Sequence, residues 1–161
     1  MSPIAIDIRP ARETDIAQIL EFIRALARYE RLEHEVVATE AQLRETLFGA
    51  HRYAEVLIAS AADEPVGFAL FFHSYSTFKG QPGLYLEDLY VKEHLRGQGI
   101  GRQLLRRLAR LAIERRCARL EWAVLEWNAP SIAFYRNLGA RPLDDWRTFR
   151  LTGEALEKLG A

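Results

Sequence analysis

Three glycines at alternate positions, Gly97, Gly99 and Gly101, separate an apolar, β-prone run from a helical repeat. The run extends from Leu84 to Val91 and is interrupted only by Glu87 and Asp88. Beyond the glycines, Leu104, Leu105, Leu108, Leu111 and Ala112 share one face of a helix, and Arg102, Gln103, Arg106, Arg107 and Arg110 take the other. The chain must therefore pass from strand to helix through a turn with little side chain in it. Such a turn brings bare N–H groups close to a ligand. The first N–H groups of the helix have no partner within it and carry partial positive charge. The spacing predicts an anion site suited to phosphate. It is not a P-loop, because Gly101 is followed by Arg102-Gln103 rather than Lys-Ser/Thr. A dinucleotide fingerprint wants an acidic residue about 20 positions on, and Glu121 meets that spacing, so spacing alone leaves this alternative open. A turn that serves only as a tight connection is the third possibility.

The chain has 161 residues, enough for one domain over 1–161 with a sizeable core. Lys+Arg and Asp+Glu number 22 each, so no strongly basic nucleic-acid surface or polybasic membrane patch is expected. The basic residues from Arg102 to Arg119 form either a solvated face or a field that attracts an anionic cofactor. Cys117 is the single cysteine; it cannot form an internal disulfide and reads as a small packed residue. No His/Cys spacing matches a metal site, so no metal is expected. Asp7, Arg9 and Arg12 break any leader-like apolar run, and Val66 to Phe72 is too short to span a bilayer. A cytoplasmic protein is the expectation.

The pattern predicts the order βααβββαβαβ with a short terminal helix. Strands are expected at Ile4–Arg9, Tyr53–Ser60, Val66–Ser74, Leu84–Val91, Arg119–Leu125 and Arg147–Leu151. Helices are expected at Glu13–Tyr29, from Thr39 through Leu47, from Gly101, at Ala129–Leu138 and at Glu154–Leu159. Thr14-Asp15 can cap the first helix, and Thr39 with Gln42 has capping-box spacing for the second. The fold class is α/β in the α+β sense: a mixed, mostly antiparallel sheet with a central parallel pair and helices on both faces.

A second motif is Trp127-Asn128-Ala-Pro-Ser131-Ile-Ala-Phe134-Tyr135-Arg-Asn-Leu-Gly139-Ala140. Asn128 suits an N-cap, Pro130 a first helical turn and Gly139 a C-terminal stop. Arg96-Gly97-Gln98-Gly99-Ile100-Gly101 resembles the pyrophosphate loop of the GCN5-related N-acetyltransferases (GNAT), and the second motif resembles their Asn…Ser…Phe-Tyr…Gly-Ala segment. The chain looks most like the spermidine/spermine and thialysine branch. Tyr29-Glu30, Leu84 to Val91, Glu126-Trp127-Asn128, Ser131, Tyr135 and Trp146-Arg147 carry that likeness.

The resemblance implies a GNAT-like fold, acetyl-CoA as cosubstrate, a small-molecule amine as acceptor and a homodimer. For cofactor binding it implies Leu89, Tyr90, Val91, Arg96, Gly97, Gln98, Gly99, Ile100, Gly101, Arg102, Asn128, Ser131 and Tyr135. It implies Glu87 as the base, needed because an alkylammonium with pKa about 10.4 must lose a proton before it attacks. Backbone N–H groups near Leu89 to Val91 would stabilise the oxyanion. Tyr135, with an ordinary pKa of about 10, would protonate the departing thiolate. Glu87, Glu30, Glu33 and Trp127 are the expected acceptor residues, and Asp88 is expected on the opposite strand face in a structural role. A protein or peptide amine acetyltransferase and a CoA-binding sensor without turnover are the competing functions.

Overall fold

The structure, a computed structural model, describes residues 5–161. Its elements are β1 (Ile6–Pro10), α1 (Ile16–Tyr29), α2 (Glu40–Phe48), β2 (Glu55–Ala61), β3 (Glu64–Ser76), β4 (Gln81–Val91), α3 (Ile100–Glu114), β5 (Leu120–Trp122), α4 (Ala129–Asn137) and α5 (Gly153–Gly160). The expected first strand began at Ile4, which lies outside the described residues. The chain divides after Ala123 into two compact units.

The first unit holds one sheet in the order β1-β2-β3-β4-β5. The first three pairings are antiparallel and β4–β5 is parallel. Ile58, Phe68 and Tyr90 are cross-strand neighbours on one face. There Phe22 of α1 stacks on Phe68 at 5.4 Å and meets Tyr90 at 5.8 Å. Ile16, Ile19 and Leu20 of α1 and Leu43 and Leu47 of α2 complete that core. Alternation sends Leu57, Ala59 and Ala69 to the other face, where α3 packs against the strands with Leu104, Leu105 and Leu108 buried. Each such side chain contributes about 1.5–3 kcal/mol, so β4 lies between two packed layers.

Local chemistry sets the ends of these elements. The expected capping box of α2 is present: the Gln42 N–H donates to Thr39 Oγ1 at 3.2 Å, and the Thr39 N–H donates to Gln42 Oε1 at 2.9 Å. α1 is entered through a 3₁₀ turn, Glu13–Asp15. The Asp15 carboxylate accepts the Arg12 N–H at 2.7 Å and both ends of the Arg9 guanidinium at 2.8 and 3.0 Å. This ion pair holds Asp15 below the usual carboxylate range. At the other end of α1 the Leu32 N–H reaches the Ala27 carbonyl and the Arg31 N–H reaches that of Arg28. This is a Schellman stop, with Arg31 rather than glycine in the left-handed region at φ 63°.

The register of β3 on β4 slips once. Leu70 faces Asp88 and Phe71 faces Leu86, so Glu87 is an extra residue with no partner across β3. A bulge of this kind bends the strand and re-aims its side chains. Among the described residues, β5 pairs only with Leu84 to Leu86, and β4 then runs on to Val91 beside β3 alone.

The second unit carries α4 and α5. The strand expected over Arg147–Leu151 is not formed. Phe149 in this stretch is 93% exposed, and Trp146 just before it is 79% exposed. The side-chain pattern suits a strand, but a strand persists only beside a neighbour that satisfies its backbone and covers its apolar side. β5 is therefore the last strand of the sheet, and the parallel pair lies at its margin rather than its centre.

Candidate active site

The glycine turn has the backbone its sequence requires. Gly97 and Gly99 stand at φ 76° and 83°, where a Cβ is strained. A Cβ at either would meet nothing within 4 Å. Packing within the chain therefore does not demand these glycines; the backbone does, and the space outside stays open to a ligand. Gly99 is the N-cap of α3, with no side-chain cap bond and no acidic residue in the first turn. Ile100 is buried at 2% exposure and anchors the turn, while Gln98 and Arg102 are exposed. Gly101 lies against Val91, where a Cβ would be 3.9 Å from Cγ2. This arrangement fits a diphosphate. Glu121, which a dinucleotide site would need, is ion-paired with Arg119 at 2.6 Å, and a sheet with one parallel pair is not doubly wound.

A second feature of the first unit is a corner of three carboxylates. Glu30 is the C-cap of α1, and Glu87 and Asp88 lie at the bulge of β4. Burial raises the Glu30 carboxyl above its usual range, and the charge on Glu87 raises it further. Burial pushes Asp88 up to about 7, with Glu87 and then Glu30 adding to the effect. Tyr85 is raised by burial, then by Glu87 and Glu121. Glu87 itself is exposed, and it is felt at all three neighbours. Alternation predicts Asp88 on the face opposite Glu87, in a purely structural role. Asp88 stands opposite Leu70, in step with Tyr90 opposite Phe68, on the face that α1 covers, and the charges of Glu87 and Glu30 both act on it. Two adjacent carboxylates in an otherwise apolar strand were the signal for this, since a regular strand solvates only every second residue. Glu33 is bound to Arg28 at 3.1 Å on an exposed 3₁₀ turn. Of the loop glutamates, Glu30 is the one drawn into the corner.

Backbone groups complete this side of the site. The Lys92 N–H donates to the Val66 carbonyl on the β3 side at 2.9 Å. Alternation then turns the N–H and C=O groups of Leu89 and Val91 toward the edge that β5 leaves, while those of Tyr90 face β3. Arg96 reaches this edge: its Nε donates to the Val91 carbonyl at 3.0 Å. Its guanidinium carbon lies 4.4 Å from the Tyr29 ring centre and 5.5 Å from that of Tyr90.

In the second unit, Asn128 is buried and caps α4, its Oδ1 accepting the Ser131 N–H at 3.3 Å. The Ala140 N–H returns to the Tyr135 carbonyl past Gly139 at φ 88°, the expected glycine stop. Phe134 and Tyr135 rings lie 5.5 Å apart. Trp127 is 45% exposed.

Residues 17–140 match the family model described as the acetyltransferase (GNAT) family. A thialysine N-epsilon-acetyltransferase of Bos taurus is 42% identical, over 94% of this chain and 95% of its own length. An L-ornithine N5-acetyltransferase of Arabidopsis thaliana is 32% identical, over 94% of this chain and 86% of its own. Among solved structures, an integron cassette protein of V. cholerae superposes with a TM-score of 0.82 at 28% identity, over 98% of both chains. Family members use acetyl-CoA as cosubstrate. By fold, by the build of its glycine turn and by relatives that match nearly its full length, the chain belongs to the acetyltransferase (GNAT) family.

Proposed function

We propose that this protein transfers the acetyl group of acetyl-CoA to the primary amine of a small cationic molecule, a thialysine-like amino acid or a diamine or polyamine. The observation that carries the reading is the carboxylate corner of Glu30, Glu87 and Asp88. Grouped carboxylates hold an ammonium and can accept its proton. The names of the thialysine and ornithine relatives support the same substrate class.

In this reading Gly97 to Gly101 and Arg102 bind the diphosphate of acetyl-CoA, with Asn128 and Ser131 contributing from the second motif. Glu30 and Trp127 hold the amine, with Glu33 at the edge. Glu87 takes the ammonium proton, directly or through water. The amine nitrogen then bonds to the acetyl carbon as the carbon–sulfur bond breaks. The N–H groups of Leu89 and Val91 stabilise negative charge on the carbonyl oxygen, Tyr135 gives its proton to the thiolate, and the second proton shed by the nitrogen as it becomes an amide restores the Tyr135 hydroxyl. We take residues 1–161 as a single acetyltransferase domain working in the cytoplasm. A homodimer is supported by the exposure of the large apolar side chains Trp146, Phe149 and Leu159, which a partner would cover. Arg31 follows Glu30 and offers a charge for a substrate carboxylate, which favours an amino acid over a polycation.

The test is thiol release from acetyl-CoA with a panel of amines. Release with small amines, and a higher kcat/KM for thialysine than for spermine, is the expected result. Release only with peptides makes the protein a peptide amine acetyltransferase. Cofactor binding without release makes it a sensor.

A further inference from the structure

Arg96 opens the glycine turn, and its sequence position assigns it to the diphosphate. Its contacts run the other way. The Nε–H is used by the Val91 carbonyl on the free edge of β4. The plane lies over Tyr29, the last residue of α1, and near Tyr90 of β4. Tyr90 in turn meets Phe22, which is stacked on Phe68 in the core. The guanidinium is thus the outermost member of an aromatic column rooted in the sheet. It ends on the residue next to Glu30, the amine-binding carboxylate. The Tyr29–Glu30 end of α1 is closed by its Schellman bonds and by the Arg28–Glu33 ion pair. It stops on a non-glycine residue at positive φ and leads into an exposed 3₁₀ turn.

We propose that Arg96 is a positioning residue for the amine pocket, clamping the Tyr29–Glu30 corner to the free edge of β4 and to the start of the glycine turn. This rests on the acetyltransferase reading above. A cation within about 6 Å of a ring centre is attracted to its face. The planar fork of arginine can stack and donate at once, which lysine cannot do. The clamp makes a specific demand: loss of the stack must weaken amine binding rather than cofactor binding.

Arg96→Lys keeps the charge and loses the plane. We expect its KM for thialysine to rise by roughly fivefold to tenfold, with kcat and the acetyl-CoA KM within about twofold of wild type. Tyr29→Leu should reproduce the effect, Tyr29→Phe should behave as wild type, and Arg96→Lys with Tyr29→Leu should be no worse than either alone. A raised acetyl-CoA KM with an unchanged thialysine KM would instead make Arg96 a diphosphate ligand. A lowered melting temperature with both KM values unchanged would make it merely structural. Either result overturns the proposal. Hydrogen exchange gives a readout independent of turnover. The Arg31 and Leu32 N–H groups should exchange several-fold faster in Arg96→Lys, and unchanged exchange sinks the clamp. If wild type releases no thiol with any amine, the acetyltransferase reading fails while the exchange result still decides the clamp.

Discussion

The glycine turn and the carboxylate corner are built in opposite ways. The turn is local: six consecutive residues, two of them at positive φ, with open space where side chains would be. The corner is assembled from the end of α1 and the middle of β4, and it depends on one residue of slip between β3 and β4. The turn offers unpaired N–H groups to a ligand without opposing charge of its own in the first turn of α3. The corner holds like charges together and raises its own carboxyls. A site for an anion can be made from backbone alone, whereas a site for a cation needs side chains brought together by tertiary structure.

The largest effect expected from breaking this contrast comes from Glu87→Gln. The variant keeps the shape of the bulge and removes the carboxylate proposed to accept the ammonium proton. The rate near neutral pH should fall by roughly 10²–10⁴-fold, with partial recovery at high pH as free amine accumulates. A pH–rate profile of wild-type height and shape would move proton removal elsewhere.

A smaller effect is expected on stability. The folded Asp88 carboxyl titrates at about 7 against an ordinary 3.8. The folded state therefore holds that proton more tightly than the unfolded chain. This favours folding below about pH 4, and the advantage is lost as pH rises through about 7. Asp88→Asn removes the charge. It should stabilise the protein at pH 8 by about 1–2 kcal/mol, with the gain shrinking toward pH 4. Urea unfolding at the two pH values checks this. A variant less stable than wild type at pH 8 would mean that the Asp88 carboxylate is satisfied by partners.

What the sequence made legible follows the same division. The turn, the amphipathic α3, the capping box at Thr39 and the cap at Asn128 are local patterns, and each appears where spacing put it. The five strands of the sheet were also visible in alternation and β-prone runs. The bulge was not, because register is decided between strands, and the extra place it gives Glu87 was hidden with it. The stretch from Arg147 to Leu151 shows the converse. Its composition suits a strand, but pairing is a property of neighbours, and there the pattern misled. Arg96 was read by its place in the motif, while its stacking on Tyr29 depends on where α1 ends.

The most direct test of the division between turn and corner is calorimetric titration of CoA into wild type, Gly99→Val and Glu87→Gln, each first checked for folding. A β-branched residue at positive φ costs about 1–3 kcal/mol and fills the open side of the turn. Gly99→Val should lose affinity for CoA by roughly tenfold to a hundredfold, while Glu87→Gln should bind CoA as wild type does. CoA binding unchanged in folded Gly99→Val, or weakened as much in Glu87→Gln, would contradict the assignment of the cofactor to the turn and the amine to the corner.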